Sequence, residues 1–440
     1  MKRVILGVVI MFIFAGLFGS GFEVEWADSV LFSGALGVYV SGSNVYGYGG
    51  CAGDWLCKKY DADGALLWSI LVDYGDGITY SSYVCGLCVV DSAVYIVGSR
   101  SGLVDDDAFI IEKHFEGDSE AVWMDSIGGR LGVGVDADED GNIYAVATGW
   151  YVMRYDSLGS VIWAESLANC WAYDVKVCGG YLYVVGRWSG GSSYDYMVVK
   201  YDTSGMIVWA DTVDGGDDDC AHGVDCDADG NVYVCGEVSG NWVIVEYDNL
   251  GNMIWCDTVE IPGSFDNEGV DVAVNVLEEV YSVGILRESS DVYNVLVRYV
   301  SGGLVAVDTL SFEVQGVDVD YLGNVYVAGF YEDDNYDCSC WYVGKYYPIP
   351  GVELGASVYD VGMNMDVSSV SNGNVCYSCD IGDGYWRLLL YSVDGRLLRV
   401  VDDGYGGVVE GNIAGLSAGV YFLVLEHERG RMTKKAVLMK

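Results

Sequence analysis

An apolar residue followed by tyrosine recurs seven times along this chain, at Val45-Tyr46, Val94-Tyr95, Ile143-Tyr144, Leu182-Tyr183, Val232-Tyr233, Val280-Tyr281 and Val325-Tyr326. Successive tyrosines lie 39 to 50 residues apart. A period of that length marks one supersecondary unit that cannot bury its apolar faces alone and must stack on copies of itself. The unit from Gly223 to Thr258 shows its content: four short runs of Val, Ile and Tyr, separated by clusters of Asp, Asn and Gly. Such runs predict four antiparallel strands joined by tight turns. Seven units of four strands predict an all-β, seven-bladed β-propeller. The 61 Gly, 35 Tyr and only 3 Pro agree with short strands and glycine turns.

Two further marks set the strand order. The third strand ends in a charged residue and an aromatic, as in Lys59-Tyr60, Arg154-Tyr155, Lys200-Tyr201, Glu246-Tyr247, Arg298-Tyr299 and Lys345-Tyr346, while the second unit has Lys113-His114-Phe115. The fourth strand carries Trp68, Trp123, Trp163, Trp209 or Trp255, and the sixth unit has Ala306 there. The seventh unit runs from Lys345-Tyr346-Tyr347 into Pro348-Ile349-Pro350 and has no fourth strand of its own. Trp26-Ala27-Asp28-Ser29 repeats the signature of Trp209-Ala210-Asp211-Thr212 with no blade before it. The expectation is that this N-terminal strand completes blade seven and closes the ring.

Ahead of it, Lys2-Arg3, the apolar run from Val4 to Phe18 and Gly19-Ser20-Gly21 read as a signal peptide over residues 1–21. The remaining sequence has no apolar run of spanning length, so no integral membrane span is expected after cleavage. The 65 acidic and 22 basic residues give a net charge of −43, which repels a polyanion and excludes nucleic acid as a partner.

The repeats resemble a secreted propeller repeat family (SBBP-like) written roughly G-V-x-V-D-x-x-G-N-V-Y-V-x-G. Gly316-Val317-Asp318-Val319-Asp320 through Gly323-Asn324-Val325-Tyr326-Val327-Ala328-Gly329 carry the likeness over residues 22–347. After a linker at 348–352 the period stops. Three segments of residues 353–440 resemble the C-terminal sorting domain of type IX secretion: the hairpin around Gly395 and Arg396, the strand bearing Gly419, Tyr421 and Phe422, and the basic strand with Lys434 and Lys435. Unlike that family's usual pattern, the start of this region, Gly355 to Asn372, has no proline. The resemblance implies an immunoglobulin-like β-sandwich read by the outer-membrane translocon. It also implies a product secreted from, or held on the outer surface of, a bacterium with two membranes.

Candidate chemistry is sparse. Asp136, Asp138 and Asp140, and likewise Asp225, Asp227 and Asp229, match the opening D-x-D-x-D-G of a calcium loop, but Ala147 and Gly236 replace the closing Glu. Both runs also suit a hairpin turn, so Ca²⁺ is a minor expectation and no other cofactor is expected. Of the 14 cysteines, Cys57, Cys235 and Cys256 align with apolar residues of other units and read as small fillers. Disulfide connectivity stays open. The three histidines, His114, His222 and His427, have no nucleophile elbow near them, and no catalytic residue is assigned.

Loops before the first strand and after the second share one face of a propeller. Arg100, Arg187, Glu237 and Arg287 follow second strands and His222 opens a first strand, with Trp150, Trp171 and Trp188 in similar loops. This rim is the expected ligand surface. The leading reading is an exported binding module for a glycan, protein or surface component. Alternatives are a propeller enzyme (a quinoprotein-like dehydrogenase, or a glycan lyase or hydrolase) and a structural spacer.

Overall fold

The computed structural model describes residues 22–438 apart from 32, 52–53, 73–82, 101–107, 139, 192, 260–264, 289–290, 334–337, 349–363, 371–373, 393–396, 415–418 and 428–429. The signal-peptide residues and the tip bearing Gly395 and Arg396 thus lie outside the described residues. Every regular element among the described residues is a β-strand. The chain divides into two compact units, one holding seven four-stranded sheets and the other a five-stranded sheet.

Blades one to six each run in sequence order through four antiparallel strands; in blade five these are Cys220–Cys226, Val232–Val238, Asn241–Tyr247 and Met253–Val259. Blade seven comprises Glu313–Val319, Val325–Asp333 and Cys338–Pro348, and Phe22–Leu31 pairs antiparallel with the last of these. The first strands of successive blades lie side by side, from blade one through blade seven and back to blade one. They therefore surround a central axis.

Residues on both faces of a middle strand meet a neighbouring blade, which explains why those strands read as continuous apolar runs. Val232, Tyr233, Val234 and Cys235 are all buried. Tyr233 and Ile244 of blade five pack with Val272, Val280 and Val295 of blade six, so the core lies between blades. The fourth strand has a more exposed face and alternates instead, as in Ile207–Val213.

The repeated marks are the clasps between blades. The Asp227 carboxylate accepts the Asp229 and Asn231 amides, the Asn231 side chain and the Tyr233 hydroxyl, which ties turn to strand. At the outer edge Trp209 of blade four donates to Asn249 O of blade five and lies between its own Tyr183 and the next blade's Tyr247. Gly251, at φ +87°, sits under that indole where a Cβ would come within 2.9 Å of the ring. Trp26 makes the same bond to Ala62 O of blade one, and Asp28 accepts from Lys58 and Tyr60. Blade two is irregular because Glu112 and His114 form a buried pair at 2.8 Å, where blade one has Lys58 and Tyr60 bonded to Asp28.

Two expectations need correction. Cys256 is exposed on a fourth strand, so it is no core filler, whereas Cys57 and Cys235 are buried. Trp150 is buried core and donates to the Tyr201 hydroxyl, and Trp171 and Trp188 belong to strands Cys170–Cys178 and Tyr181–Trp188. A disulfide joins Cys178 to Cys226, the last residues of the first strands of blades four and five.

In the smaller unit Asn374–Ser392 pairs with Asn364–Val370, Leu397–Ala414 and Gly419–His427, and Gly419–His427 pairs with Gly430–Leu438. Tyr421 lies opposite Ala436, Phe422 opposite Lys435 and Leu423 opposite Lys434.

Candidate functional site

Titratable groups gather in two places in the propeller. The first is the axis, where Asp136, Asp174, Asp225, Asp271, Asp318 and Lys176 line a cavity of about 90 Å³. Asp136, Asp225 and Asp318 lie opposite the second-strand tyrosines Tyr144, Tyr233 and Tyr326. Asp174 and Asp271 sit two residues earlier, and Lys176 and Ala273 take the tyrosine register in those blades.

Each carboxylate reaches across a blade junction. Asp136 accepts the Val177 amide at 2.8 Å, Asp174 that of Val224 at 3.1 Å, Asp225 that of Val274 at 2.8 Å, Asp271 that of Val317 at 2.8 Å and Asp318 that of Val40 at 2.6 Å. Five junctions, from blade three round to blade one, are latched in this way. The Lys176 ammonium lies 2.9 Å from Asp225 and supplies the local cation. Burial pushes Asp174 and Asp318 up to about 7 and holds Asp136 and Asp271 above the ordinary carboxylate range. The arrangement fixes blades and uses its acceptors in doing so.

The calcium-like runs are dispersed by the same geometry. Asp136 and Asp225 belong to first strands and face the axis, Asp138 and Asp227 hold turns, and Asp140 and Asp229 are exposed. Among the described residues no cluster of His, Cys, Asp and Glu has the geometry of a metal site.

The second place is the rim, at the end where first strands begin and second strands finish. Tyr173, Arg187, Asp218, Asp219, Cys220, His222, Glu237 and Glu268 line a pocket of about 220 Å³ contributed by blades four, five and six. Three of the five rim residues expected from sequence, Arg187, His222 and Glu237, come together here. Arg287 stands behind the pocket, with Nη2 3.4 Å from Glu268. Arg100 ends a second strand in blade two, away from the pocket lining, and its side chain lies outside the described residues. Tyr173, Asp219 and Glu268 were not legible in advance, because each opens a different blade and no local spacing links them.

The pocket's groups differ in how far they are engaged. Asp219 is fully buried and accepts the Gly215 and Ser239 amides, and Asp218 accepts the Tyr194 amide. Glu268 lies between His222 Nε2 at 3.5 Å and the Arg287 guanidinium. The Arg187 guanidinium stacks 4.0 Å from the Tyr194 ring centroid, with Tyr173 and Trp171 at 5.7 and 5.6 Å. Its Nε is buried without a hydrogen-bond partner. Among the described residues, no hydrogen bond or ion pair engages the Glu237 side chain.

The electrostatics follow from this packing. Burial, reinforced by Asp266 and Glu268 and partly offset by Arg287, pushes Glu237 up to about 7. Burial, aided by Arg187 and opposed by Glu268, holds His222 below the ordinary imidazole value. Cys220 and Tyr173 are pushed up, chiefly by burial. The pocket therefore presents a carboxyl poised near neutrality and a guanidinium with unused donors beside an aromatic wall.

No protein-family model matches this chain, and no curated protein matches it. Among solved structures it is similar to the WD40 β-propeller domain of Doa1, with a TM-score of 0.53 and 12% identity over 76% of this chain and 99% of that one. The C-terminal WD40 domain of Sif2 aligns at a TM-score of 0.48 and 8% identity, covering 76% of this chain and 100% of that one. BamB from Moraxella catarrhalis aligns at 0.41 and 14%, covering 72% and 83%. The first of these shows the propeller fold and, at that identity, the fold alone.

Proposed function

We propose that this chain is an exported or cell-surface propeller acting as a binding module, which engages a glycan, protein or surface component through the rim of blades four to six. A single observation carries the reading: two opposite charges of the pocket lining, Glu237 and Arg187, make no hydrogen bond or ion pair among the described residues. Unmet polar groups in a concave, partly aromatic site are what a ligand satisfies. Arg287, and Arg100 by its strand position, extend the same surface. Purified propeller is to be screened on glycan and surface-component arrays. Arg187→Ala is expected to weaken capture at least about tenfold with the thermal midpoint held, and capture indifferent to it would sink the rim reading.

The delivery reading combines a signal peptide at 1–21, a propeller at 22–347, a linker at 348–352 and a sorting domain at 353–440. That domain is an immunoglobulin-like sandwich presented to the type IX translocon. The small-residue cleavage site, the C-terminal resemblance and the Cys178–Cys226 disulfide, which suits an oxidising compartment, support it. The pairing of Phe22–Leu31 with Cys338–Pro348 supports closure of the ring by the N-terminal strand. Mass spectrometry of exported protein checks the route: the mature chain is expected to start near Phe22 and to lack the C-terminal domain.

A second reading, glycan cleavage, draws on Glu237 near neutrality beside Glu268, the kind of carboxyl pair that performs acid–base work. Reducing ends released by the wild type and lost in Glu237→Gln would favour it over binding alone.

A further inference from the structure

The lining of the rim pocket restricts the charge of what can enter. Asp218 and Asp219 are committed to backbone amides, and Glu268 to His222 and Arg287. Glu237 is left as the acceptor a ligand can take, and Asp219, Asp266 and Glu268 around it outweigh the one cation that offsets them, Arg287, so a further positive charge is favoured there. Arg187 does not supply that charge, since its guanidinium is stacked among Tyr194, Tyr173 and Trp171 and makes no ion pair with Glu237.

Three kinds of cation can be weighed. A metal ion needs several oxygen ligands, and one uncommitted carboxylate falls short of that number. A quaternary ammonium needs an aromatic cage, and Arg187 already occupies the rings that would make one. A primary ammonium needs only acceptors for its N–H donors, and Glu237 provides them. The Arg187 guanidinium, which lines the pocket and makes no hydrogen bond or ion pair among the described residues, then calls for an oxygen acceptor on the same molecule. A cavity of about 220 Å³ suits one sugar-sized or amino-acid-sized group.

We infer that the rim pocket takes a small organic ligand bearing a primary ammonium next to oxygen acceptors, with the ammonium on Glu237 and an oxygen on Arg187. This rests on the rim reading and narrows it to one ligand chemistry, found in amino sugars and in free amino acids. The strongly acidic chain, net −43, would draw such cations toward the site.

The test is titration of the full mature chain with glucosamine, N-acetylglucosamine, glucose and L-serine, followed by calorimetry and ligand-observed NMR at pH 7, where both amines are mainly protonated, and at pH 5.5. Glucosamine or serine is expected to bind, and which of the two binds more tightly identifies the source. N-Acetylglucosamine and glucose, which lack the charge, are expected to bind at least about tenfold more weakly. The isosteric Glu237→Gln is expected to abolish the preference for the amine. In wild type the affinity is expected to fall at least about tenfold at pH 5.5, as Glu237 gains a proton among Asp219, Asp266, Glu268, His222 and Arg287.

Binding of glucose or N-acetylglucosamine as tight as glucosamine, or an amine preference that survives in Glu237→Gln, overturns the ammonium inference. If that uncharged binding is still lost in Arg187→Ala, the rim reading stands. Failure of all four probes to bind also overturns the inference, and the array experiment with Arg187→Ala then judges the rim separately.

Discussion

Asp225 and Glu237 belong to adjacent strands of blade five, one facing the axis and the other the rim. Asp225 accepts the Val274 amide and pairs with Lys176, whereas Glu237 has neither kind of partner. The same contrast holds for the cations, with Lys176 placed against a carboxylate and Arg187 stacked on rings with a buried donor unused. Both regions hold acids lifted toward 7 by burial. The pKa alone therefore does not separate a structural carboxyl from a functional one. What separates them is whether the fold has already satisfied the group.

The contrast can be tested through stability, and the largest effect is expected from pH. The axial acids with raised folded pKa values keep their protons to higher pH than in the unfolded chain. Their contribution is complete below about pH 4 and is lost as pH rises toward about 7. Ionising Asp174 or Asp318 costs on the order of 4 kcal/mol each, and Asp271 is raised in the same direction. Urea denaturation is expected to give a lower midpoint at pH 8 than at pH 5, and the reverse order would show that the axial acids do not hold their protons in the folded chain.

Asp225→Ala comes next, with an expected loss of about 2–4 kcal/mol, because the Val274 amide loses its acceptor and Lys176 its nearest carboxylate. Adding Lys176→Met is expected to restore part of it. A loss below about 1 kcal/mol would show that the latch is dispensable. Reduction of Cys178–Cys226 should cost about 2–4 kcal/mol, read as a shift in the denaturation midpoint between buffers with and without reductant.

Glu237→Gln should have the smallest effect. Because the side chain is only half-buried, solvent screening limits the change to less than about 1 kcal/mol, stabilising at pH 8 and near zero at pH 5. A loss comparable to that of Asp225→Ala would place Glu237 with the latches and end the contrast.

Much of the fold was legible because its signals are local. The Val-Tyr pairs, the Asp-Gly-Asn turns and the fourth-strand tryptophans recur at a fixed period, and each turn completes its hydrogen bonds within six residues, as Asp227 does with Tyr233. Arg187, His222 and Glu237 were legible for the opposite reason, since they vary between repeats at positions facing one end. Asp136 and Asp225 were misjudged as turn residues. They lie just upstream of the turns, in strands whose alternation points them at the axis, and their partners, Val177 and Val274, are in the next blade.

By itself the sequence determined the repeat, the four-stranded unit, the closed all-β class and the face that carries variation, because strand pattern and turn chemistry are short-range. Only the tertiary structure decided which acids meet an amide from the neighbouring blade and which stand open at the rim. A carboxylate's role depends on what lies within about 3 Å of its oxygens. For the axial acids those neighbours come from the next blade, about a repeat away along the chain or, for Asp318 and Val40, from the other end of the propeller sequence.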